Sequence, residues 1–399
     1  MRVLIVNTSS HQGGAAIAAS RLMHALCNEG VDARMLTRRR KFPAFYWERF
    51  VIWVHNRFSR KNLFAVSIAN AGEDITKTEA FSQADIIHLH WINQGFLSLK
   101  GLEKIFESGK PVVITMHDMW YCTGICHHAR ECSRYSKGCH DCPFLYGGGH
   151  ENDLSHKVYV QKKQIYGKKQ VSFIACSKWL MGRAEQSGLF EGQHLLNIPN
   201  PLDTTVFKPM DKVEARKRFG LPNDKRLILF GAAKITDKRK GIDYFVEACN
   251  LLSSSDAEIV CYGQNSEQLQ SLVPQKVHAL GYVSGEENLR QLYNAVDMFV
   301  TPSLEENLPN TIMESMACGT PCVGFEIGGI PEMIAHKQNG YVAEYKNAKD
   351  FAQGIEWVLT EADYDELSAN ARQHVTDNYS ETVIANKFID LYKQRINGK

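Results

Sequence analysis

The sequence lacks the features that mark membrane-spanning, exported and nucleic-acid-binding proteins. Nowhere in its 399 residues do about 18 apolar residues follow one another, so no transmembrane helix is expected. The apolar run at residues 3–6 is too short for a signal peptide and predicts a first strand. The formal net charge of only +2 argues against a dedicated nucleic-acid binder. We therefore expect a cytoplasmic protein that does not bind nucleic acid.

Low-complexity segments and internal repeats are also absent, and the pattern that remains is that of a large α/β protein. Short apolar runs alternate with longer helical patterns, which favours open parallel sheets covered by helices. The chain length predicts two or three domains, and the prolines between 197 and 209 indicate a link between two of them. A first helix is expected at 16–28, and strands are expected in two series, at 3–6, 86–90, 112–115 and 173–175, then at 227–231, 258–262, 277–280, 298–301 and 321–325.

The most informative stretch covers residues 302–332 and reads PSLEENLPNTIMESMACGTPCVGFEIGGIPE. Its apolar residues recur at helical spacing, so Glu306 should precede a helix and Glu314 should lie about one turn inside it. The amides of Asn310 and Thr311 then lie at the positive end of the helix dipole, which attracts phosphate. Two carboxylates beside an anion site can accept hydrogen bonds from sugar hydroxyls. The alternative is that both glutamates are solvated helix residues.

This stretch resembles the E-x7-E signature of the retaining glycosyltransferases of family 4, and in particular those of bacterial capsule, O-antigen and colanic-acid type. The following residues match the GG-x-PE loop of that family, with Gly328, Gly329, Pro331 and Glu332. The resemblance extends over nearly the whole chain. It implies a GT-B fold, in which two Rossmann-like, doubly wound domains face each other across a cleft.

The resemblance also implies a domain division and roles for the two glutamates. Residues 1–204 would form the acceptor-side domain, residues 205–378 would bind the nucleotide-sugar, and a C-terminal helix at about 379–399 would pack back on the first domain. In the family, the residue matching Glu306 contacts the donor sugar and the residue matching Glu314 holds the ribose hydroxyls. The chain departs from the family pattern at residue 307, where it has Asn and many members have Gly.

A cationic loop, KITDKRKG at residues 234–241, follows the first strand of the second series. A charge run of this kind is often only a solvated loop. The family places an Arg and a Lys here to neutralise the donor diphosphate, and Lys240 matches that Lys. The position of the Arg is taken by alanine in this chain, so Arg239, or after it Lys234, is expected to replace it. Such cations stabilise charge on a departing diphosphate.

Three further groups are expected at the carboxyl ends of strands in the first domain, where ligands bind such sheets. Gly13 and Gly14 lie between the first strand and the first helix, and either form a plain turn or let the backbone approach the donor phosphates. In the HDMW segment, the resemblance makes His117 a contact to the donor sugar or to developing charge, and Asp118 could orient its ring. The expected acceptor-side residues are Asp118 together with His90, Trp91 and Asn93.

Eleven cysteines without an export signal indicate a reducing compartment and either free thiols or a metal site. Four of them are clustered with the spacing C-x5-C-x6-C-x2-C: Cys126, Cys132, Cys139 and Cys142. Four soft ligands suit a closed, structural zinc site, with His127, His128 and His140 as alternative ligands. Disulfides and free thiols are the other interpretations. A catalytic metal is not expected, because four protein ligands leave no open position.

The segment Arg38–Lys61 combines cations with many aromatic residues. Its composition suits an amphipathic helix at an anionic membrane surface, and the alternative is a helix packed on its own domain. Together these features predict a retaining sugar transferase that uses a UDP- or GDP-type donor, a saccharide or lipid-linked saccharide acceptor and no cofactor for catalysis. It would be cytoplasmic or peripheral at the inner face of the cytoplasmic membrane. The alternatives are a GT-B nucleotide-sugar epimerase and a non-catalytic sugar-nucleotide-binding protein.

Overall fold

The computed structural model describes residues 1–39, 43–253 and 256–398, and the chain divides into two compact units. The first unit comprises Met1–Pro201 and Ile384–Lys399, and the second comprises Leu202–Val383. The first boundary thus falls after Pro201, where the sequence predicts one after residue 204. The chain returns to the first unit at Ile384, where the sequence predicts a return at about 379.

A six-stranded parallel sheet forms the core of the first unit, with the strand order β2-β1-β3-β4-β5-β6. Its central strands are buried along their whole length, because helices cover both faces of such a sheet. The strands are β1 Arg2–Val6, β2 Asp32–Leu36, β3 Ile86–Leu89, β4 Val112–Met116, β5 Ser172–Ala175 and β6 His194–Asn197. The helices are α1 Gly14–Asn28, α2 Ala44–His55, α3 Glu79–Gln83, α4 Leu99–Glu107, α5 Leu154–Tyr166 and α6 Lys178–Glu185.

A second six-stranded parallel sheet forms the core of the second unit, with the order β12-β11-β10-β7-β8-β9. Its strands are β7 Arg226–Lys234, β8 Ala257–Gln264, β9 Val277–Ala279, β10 Met298–Thr301, β11 Cys322–Phe325 and β12 Gly340–Ala343. The helices are α7 Lys212–Phe219, α8 Ile242–Leu251, α9 Glu286–Ala295, α10 Asn310–Ala317, α11 Ile330–Met333, α12 Ala348–Thr360 and α13 Tyr364–Tyr379. The last helix, α14 Glu381–Asn397, begins at the end of the second unit and belongs to the first unit from Ile384 onward.

Short 3-10 helices occur in both units, at Ile75–Lys77, Met119–Cys122, Arg134–Lys137, Lys238–Lys240 and Ser266–Ser271. Local sequence explains several helix ends: the side chains of Ser98, Asp153 and Ser177 each accept a hydrogen bond from the first turn of the helix that follows. Among the described residues, no helix combines the length and the apolar character needed to cross a bilayer.

The strand order reverses once in each sheet, and this positions the candidate site. In the first unit β2 is added on one side of β1 and β3 on the other, so the switch point lies between β1 and β3. In the second unit β8 and β9 are added on one side of β7 and β10 on the other, so the switch point lies between β7 and β10. Ligands bind doubly wound sheets at such switch points, outside the carboxyl ends of the strands. The prediction of two doubly wound α/β domains is confirmed.

Candidate active site

The switch point of the second unit brings Lys240 and Glu306 together. Lys240 lies in the 3-10 turn after β7, and Glu306 lies in the loop after β10. The Lys240 Nζ atom is 2.5 Å from Glu306 Oε1. The Glu306 side chain is only 14% exposed and that of Lys240 is 37% exposed, so the pair is partly shielded from water. The sequence predicted both residues for the site, but it did not predict that they would pair.

Two glycines hold the loops around this ion pair at close range. At Gly241, which has a φ of 72°, an added Cβ would overlap the carbonyl oxygen of Pro302. At Gly328, which has a φ of 59°, it would overlap the carbonyl oxygen of Glu306. The amide of Gly329 also donates to the carbonyl of Asn307 over 2.6 Å. Only glycine allows both this backbone conformation and this approach.

Glu314 lies inside α10 and is almost fully buried. Its Oε2 atom accepts a hydrogen bond from the Tyr293 hydroxyl over 3.1 Å, and Tyr293 lies on α9. Burial raises the pKa of the Tyr293 hydroxyl well above its usual value, so the hydroxyl stays protonated and keeps donating. Sequence analysis missed Tyr293. Asn310 and Thr311 are the first two residues of α10, as predicted, and the amides of a first turn have no acceptor within their own helix.

The other two predicted cations differ in their surroundings. Arg239 makes a two-point contact with Asp237, in which Nη2 is 2.6 Å from Oδ2 and Nε is 3.1 Å from Oδ1. Asp237 therefore orients the guanidinium, and its side-chain hydrogen bond raises the pKa of Arg239. Lys234 is the last residue of β7 and is exposed. Asp237, the acidic residue of this basic loop, thus fixes part of the conformation of the loop.

In the first unit, the loops after β1 and β3 are hydrogen-bonded to each other at the switch point. Asn7 Oδ1 accepts from the amide of Trp91 over 2.9 Å, and the amide of Thr8 donates to the carbonyl of Trp91 over 2.8 Å. Gly13 precedes α1 with a φ of 92°, and Gly14 is the first residue of that helix. Apart from its chain neighbours, no described residue has an atom within 4 Å of a Cβ added at Gly13, so the backbone there borders open space in this part of the structure.

Three buried or partly buried histidines lie in or directly after β3 and β4: His88 within β3, His90 after β3 and His117 after β4. His90 Nδ1 and His117 Nε2 are 2.8 Å apart. His88 lies between the Tyr392 hydroxyl at 2.6 Å and Thr115 Oγ1 at 2.8 Å. Burial lowers the pKa of His117 to about 4 although Asp118 opposes the shift, and burial together with His117 lowers that of His88 to about 3. Burial also lowers the pKa of His90 well below 6.5, so all three rings are neutral near pH 7.

Asp118 holds together the loops that follow β3 and β4. Its Oδ2 atom accepts from Trp91 Nε1 over 2.8 Å and lies 2.7 Å from His127 Nδ1, while Oδ1 accepts from the Trp120 amide. Burial raises the pKa of Asp118, but interaction with His127 outweighs this effect and the pKa falls to about 2. The ring partner of His117 seen here is His90. Asn93 lies in the loop after β3 and is buried, and both of its side-chain polar atoms lack a hydrogen-bond partner among the described residues.

The four clustered cysteines line one small cavity, together with Arg134, Tyr135 and His140. The amide of Gly124 donates to Cys139 Sγ over 3.2 Å, and the amides of Phe144 and Leu145 approach the Cys142 sulfur. No disulfide joins the cysteines of the described residues. Within the same part of the chain, no group of three or more His, Cys, Asp or Glu side chains is arranged to hold a metal ion. The zinc site therefore stays a prediction.

One of the alternative zinc ligands is already engaged elsewhere. Both ring nitrogens of His127 lie at hydrogen-bond distance from other side chains, Nδ1 from Asp118 and Nε2 from Ser67 Oγ at 3.0 Å. His140 is paired with Asp141 through its Nδ1 atom over 2.9 Å. Both ring nitrogens of His127 thus serve the Asp118 network in this conformation, and its part as an alternative metal ligand stays a prediction.

Comparisons with known proteins identify the family to which the chain is similar. A family model described as Glycosyltransferase Family 4 matches residues 12–206, and one described as Glycosyl transferases group 1 matches residues 224–361. An uncharacterized glycosyltransferase of Methanocaldococcus jannaschii is 28% identical over 342 residues, which are 80% of this chain and 86% of that protein. The N,N'-diacetylbacillosaminyl-diphospho-undecaprenol alpha-1,3-N-acetylgalactosaminyltransferase of Campylobacter jejuni is 31% identical over 160 residues, which are 39% of this chain and 42% of that enzyme.

Two solved structures share the fold over essentially the whole chain. Sucrose-phosphate synthase from Thermosynechococcus elongatus has a TM-score of 0.72 at 17% identity and covers 100% of both chains. Anabaena HepE in complex with UDP-glucose has a TM-score of 0.66 at 15% identity and covers 99% of this chain and 100% of the other. The likeness to these structures shows the GT-B fold. The two family models together span most of the chain and identify it as a glycosyltransferase of the family 4 type.

Proposed function

We propose that this glycosyltransferase moves a sugar from a nucleotide-sugar to a saccharide hydroxyl with retention of anomeric configuration. The observation that carries the proposal is the Lys240–Glu306 pair at the switch point of the second unit, with Glu314 in the helix that follows. A cation, a sugar-binding carboxylate and a ribose-binding carboxylate are the groups that a nucleotide-sugar needs. Asn310 and Thr311 add first-turn amides for the diphosphate.

The proposed reaction uses the donor diphosphate as leaving group and as base. The bond between the anomeric carbon and the phosphate oxygen breaks, and the electron pair leaves with the nucleoside diphosphate. The acceptor hydroxyl forms its new bond on the same face of the sugar and gives its proton to the departing phosphate oxygen. Lys240, assisted by Arg239 or Lys234, stabilises the charge that develops on the diphosphate. Glu306 positions the sugar through its hydroxyls.

His117 is proposed as a neutral hydrogen-bonding contact rather than a cation. Because burial lowers its pKa to about 4, the ring is uncharged near pH 7 and can donate to or accept from a sugar hydroxyl. His90 holds the Nε2 atom of this ring and so fixes its orientation. His90, Trp91, Asn93 and Asp118 remain the candidate acceptor-side group, with Asp118 acting through the Trp91 indole.

For the substrates, we propose a UDP- or GDP-type donor and a lipid-linked saccharide acceptor in surface polysaccharide assembly. Capture of UDP-glucose by the fold relative HepE supports the donor class. The Campylobacter jejuni relative, whose name includes a diphospho-undecaprenol-linked sugar, supports the acceptor class. The resemblance of the sequence to transferases of capsule and O-antigen type also supports this acceptor class.

The test is product analysis by mass spectrometry after incubation with UDP-, GDP- and ADP-sugars and short saccharide acceptors. Transfer predicts a product heavier than the acceptor by one sugar residue, formed together with the nucleoside diphosphate. Interconversion of the donor without an acceptor would instead identify an epimerase. Donor binding without any turnover across the panel would identify a non-catalytic binding protein.

A further inference from the structure

In helix α2 charged residues face inward and large apolar residues face outward, the reverse of an ordinary surface helix. Its buried residues are Glu48, Arg49 and Ile52. Glu48 Oε1 accepts from the amides of Ile68 and Ala69 over 2.8 and 2.9 Å. Charged residues normally lie on the outer face of a helix, because burying a charge is costly unless it is paired and hydrogen-bonded. Here the inward charges meet these conditions, so the orientation of α2 is well fixed.

Arg49 completes this anchor. Its guanidinium lies 2.9 Å from Glu48 Oε2, donates to the carbonyl of Val66 over 2.9 Å and also donates to the carbonyl of Leu63. The segment after the helix is thereby attached to its inner face. The opposite face of α2 must then point away from the first unit.

That outer face is formed by large apolar side chains. Trp47 and Phe50 have ring centroids 5.9 Å apart, Phe50 and Trp53 lie 6.1 Å apart, and Trp53 and Phe58 lie 4.8 Å apart. The apolar residues of this region that are at least 40% exposed are Tyr46, Trp47, Phe50, Val54, Phe58 and Phe64. A contiguous apolar patch of this kind marks a binding surface. We call the four residues joined by these ring contacts, Trp47, Phe50, Trp53 and Phe58, the aromatic face.

The exposed charged residues of the segment that carries the aromatic face are basic. Between residues 38 and 72 the only acidic residue is Glu48, which is buried against Arg49. Arg57, Arg60 and Lys61 are exposed beside the aromatic residues. Residues 40–42 of the predicted membrane-binding segment lie outside the described residues. An aromatic surface whose own segment carries exposed cations, and whose acidic residue Glu48 is buried, suits an anionic bilayer, in which rings enter the headgroup region and cations meet lipid phosphates.

The aromatic face is joined directly to the loop that follows β3. An added Cβ at Gly95 would overlap the backbone of Phe45 in the first turn of α2. Nη1 of Arg38 donates to the carbonyl of Gln94 over 2.5 Å. This loop carries Trp91 and Asn93, which are candidate acceptor-side residues. A binding partner that contacts α2 would therefore also lie close to the loop that is proposed to receive the acceptor.

We propose that the aromatic face of α2 docks on an anionic membrane surface. A second copy of the chain is the less suitable occupant, since two identical basic rims would meet in a symmetric dimer and repel each other. The sequence left two alternatives for this segment, a membrane helix and a helix packed on its own domain. The two are compatible, because the inner face packs on the first unit while the outer face stays available.

The experiment is co-sedimentation of the full chain with vesicles, compared for phosphatidylcholine alone and for phosphatidylcholine with 25% phosphatidylglycerol (about the anionic share of a charged membrane leaflet). We expect binding only to the anionic vesicles, with affinity that falls as salt rises. The double variant Trp47→Ser/Phe50→Ser should bind at least about tenfold more weakly, since two buried rings would be lost. Tyr282→Ser is the matched control, because Tyr282 is exposed in the second unit.

Lys61→Ser should weaken binding to the anionic vesicles, and Lys349→Ser, an exposed lysine of the second unit, should not. Melting temperatures and turnover with a water-soluble acceptor should match wild type in all of these variants. A failure of membrane docking can therefore be distinguished from a failure of the proposed reaction. Equal vesicle binding by wild type and the double variant would overturn the proposal. So would dimerisation of wild type that the double variant abolishes without any binding to lipid.

Discussion

At the scale of single residues, the proposed donor site centres on the Lys240–Glu306 pair. The two opposite charges lie 2.5 Å apart and are partly shielded, so each lowers the cost of burying the other. A diphosphate that binds Lys240 has to share it with Glu306. Removing Lys240 should therefore lower the affinity for a nucleoside diphosphate, whereas removing the charge of Glu306 should leave that affinity unchanged or raise it.

We predict that Lys240→Ala weakens binding of the nucleoside diphosphate by roughly 1–3 kcal/mol, because a charged hydrogen bond is lost. Glu306→Gln should bind the same ligand as tightly as wild type or more tightly, while its transfer rate falls sharply. Calorimetric titration and steady-state kinetics measure the two effects. Arg290→Ala, which removes an ion-paired cation from α9, is the control for a general loss of positive charge. Equal weakening by Lys240→Ala and Arg290→Ala would refute the role of Lys240.

Glu314 gives a second prediction at this scale. Glu314→Gln should weaken donor binding by roughly 1–3 kcal/mol, because a neutral amide holds ribose hydroxyls less strongly than a carboxylate. Tyr293→Phe keeps the ring and removes only the hydroxyl that donates to Glu314, so it should have a smaller effect in the same direction. The measurement is donor titration together with a melting curve for each variant. Unchanged donor affinity in Glu314→Gln would contradict the assignment.

The limits of sequence analysis are clear for these residues. Glu306, Glu314 and Lys240 could be found because their motifs are local and have fixed spacing. Tyr293 could not, because its hydroxyl reaches Glu314 only through the position of α9 beside α10. The histidine contact between His90 and His117 also depends on two strands that become neighbours only in the folded sheet.

At the scale of elements, the segment between β4 and α5 is a long loop held by buried polar groups. Lys162 of α5 is fully buried and donates to the carbonyls of Trp120 and Thr123 over 2.5 and 2.9 Å. Its Nζ atom lies 3.4 Å from the centre of the Trp120 ring. Burial lowers the pKa of Lys162 to about 7, opposed by the neighbouring thiols. The same loop carries the four clustered cysteines.

We predict that this loop gains stability from one bound zinc ion. The double variant Cys139→Ser/Cys142→Ser should then melt at a lower temperature, because metal binding is coupled to local folding. Donor binding should persist, since the donor site is assigned to the second unit. Elemental analysis of protein purified without added metal is the direct measurement, with the exposed Cys27→Ser as control. A zinc content near zero, with all four thiols titrating freely, would exclude the site.

Element positions show where sequence patterns succeed and where they fail. The first helix was expected at 16–28 and spans Gly14–Asn28, because its apolar face has clear helical spacing. Helix α2 was harder to interpret, since its outward residues are aromatic and its inward residues include Glu48 and Arg49. A pattern that places charge inside becomes interpretable only when Val66, Ile68 and Ala69 are seen to supply the partners.

At the scale of the whole molecule, the neutral histidines of the first unit make stability depend on pH. The folded state holds His88 and His117 at pKa values of about 3 and 4, whereas unfolded histidine titrates near 6.5. Below pH 6.5 the unfolded state therefore binds more protons than the folded state, and stability is lost as the pH falls toward 4. The loss should reach roughly 1.4 kcal/mol per pH unit for each such histidine.

Thermal melting between pH 7.5 and pH 4 (spanning both ordinary and lowered histidine pKa values, about 6.5 and 4) checks this prediction. His117→Asn should show a shallower decline than wild type on acidification, because one of the groups that resist protonation has been removed. His55→Asn, at the exposed end of α2, should follow the wild-type curve. A melting temperature that does not change over this range would contradict the neutral state of the buried rings.

A further whole-molecule prediction concerns metal ions in catalysis. Activity should persist in a chelator that removes loosely bound divalent ions, because Lys240 and the first-turn amides of α10 are proposed to hold the diphosphate. The only Asp-x-Asp sequence in the chain starts at Asp363, which caps α13 by accepting from the amide of Glu366. Turnover with and without chelator is the measurement. An absolute and reversible requirement for magnesium or manganese would contradict this mechanism.

The most direct test of the central claim is the stereochemistry of the product formed by wild type and by Glu306→Gln. The donor found active in the mass-spectrometric panel is incubated with acceptor, and NMR coupling constants report the anomeric configuration of the new glycosidic bond. We predict that wild type gives a product with the configuration of the donor, and that Glu306→Gln binds the nucleoside diphosphate but forms almost no product. An inverted product, or full transfer by Glu306→Gln, would contradict the account.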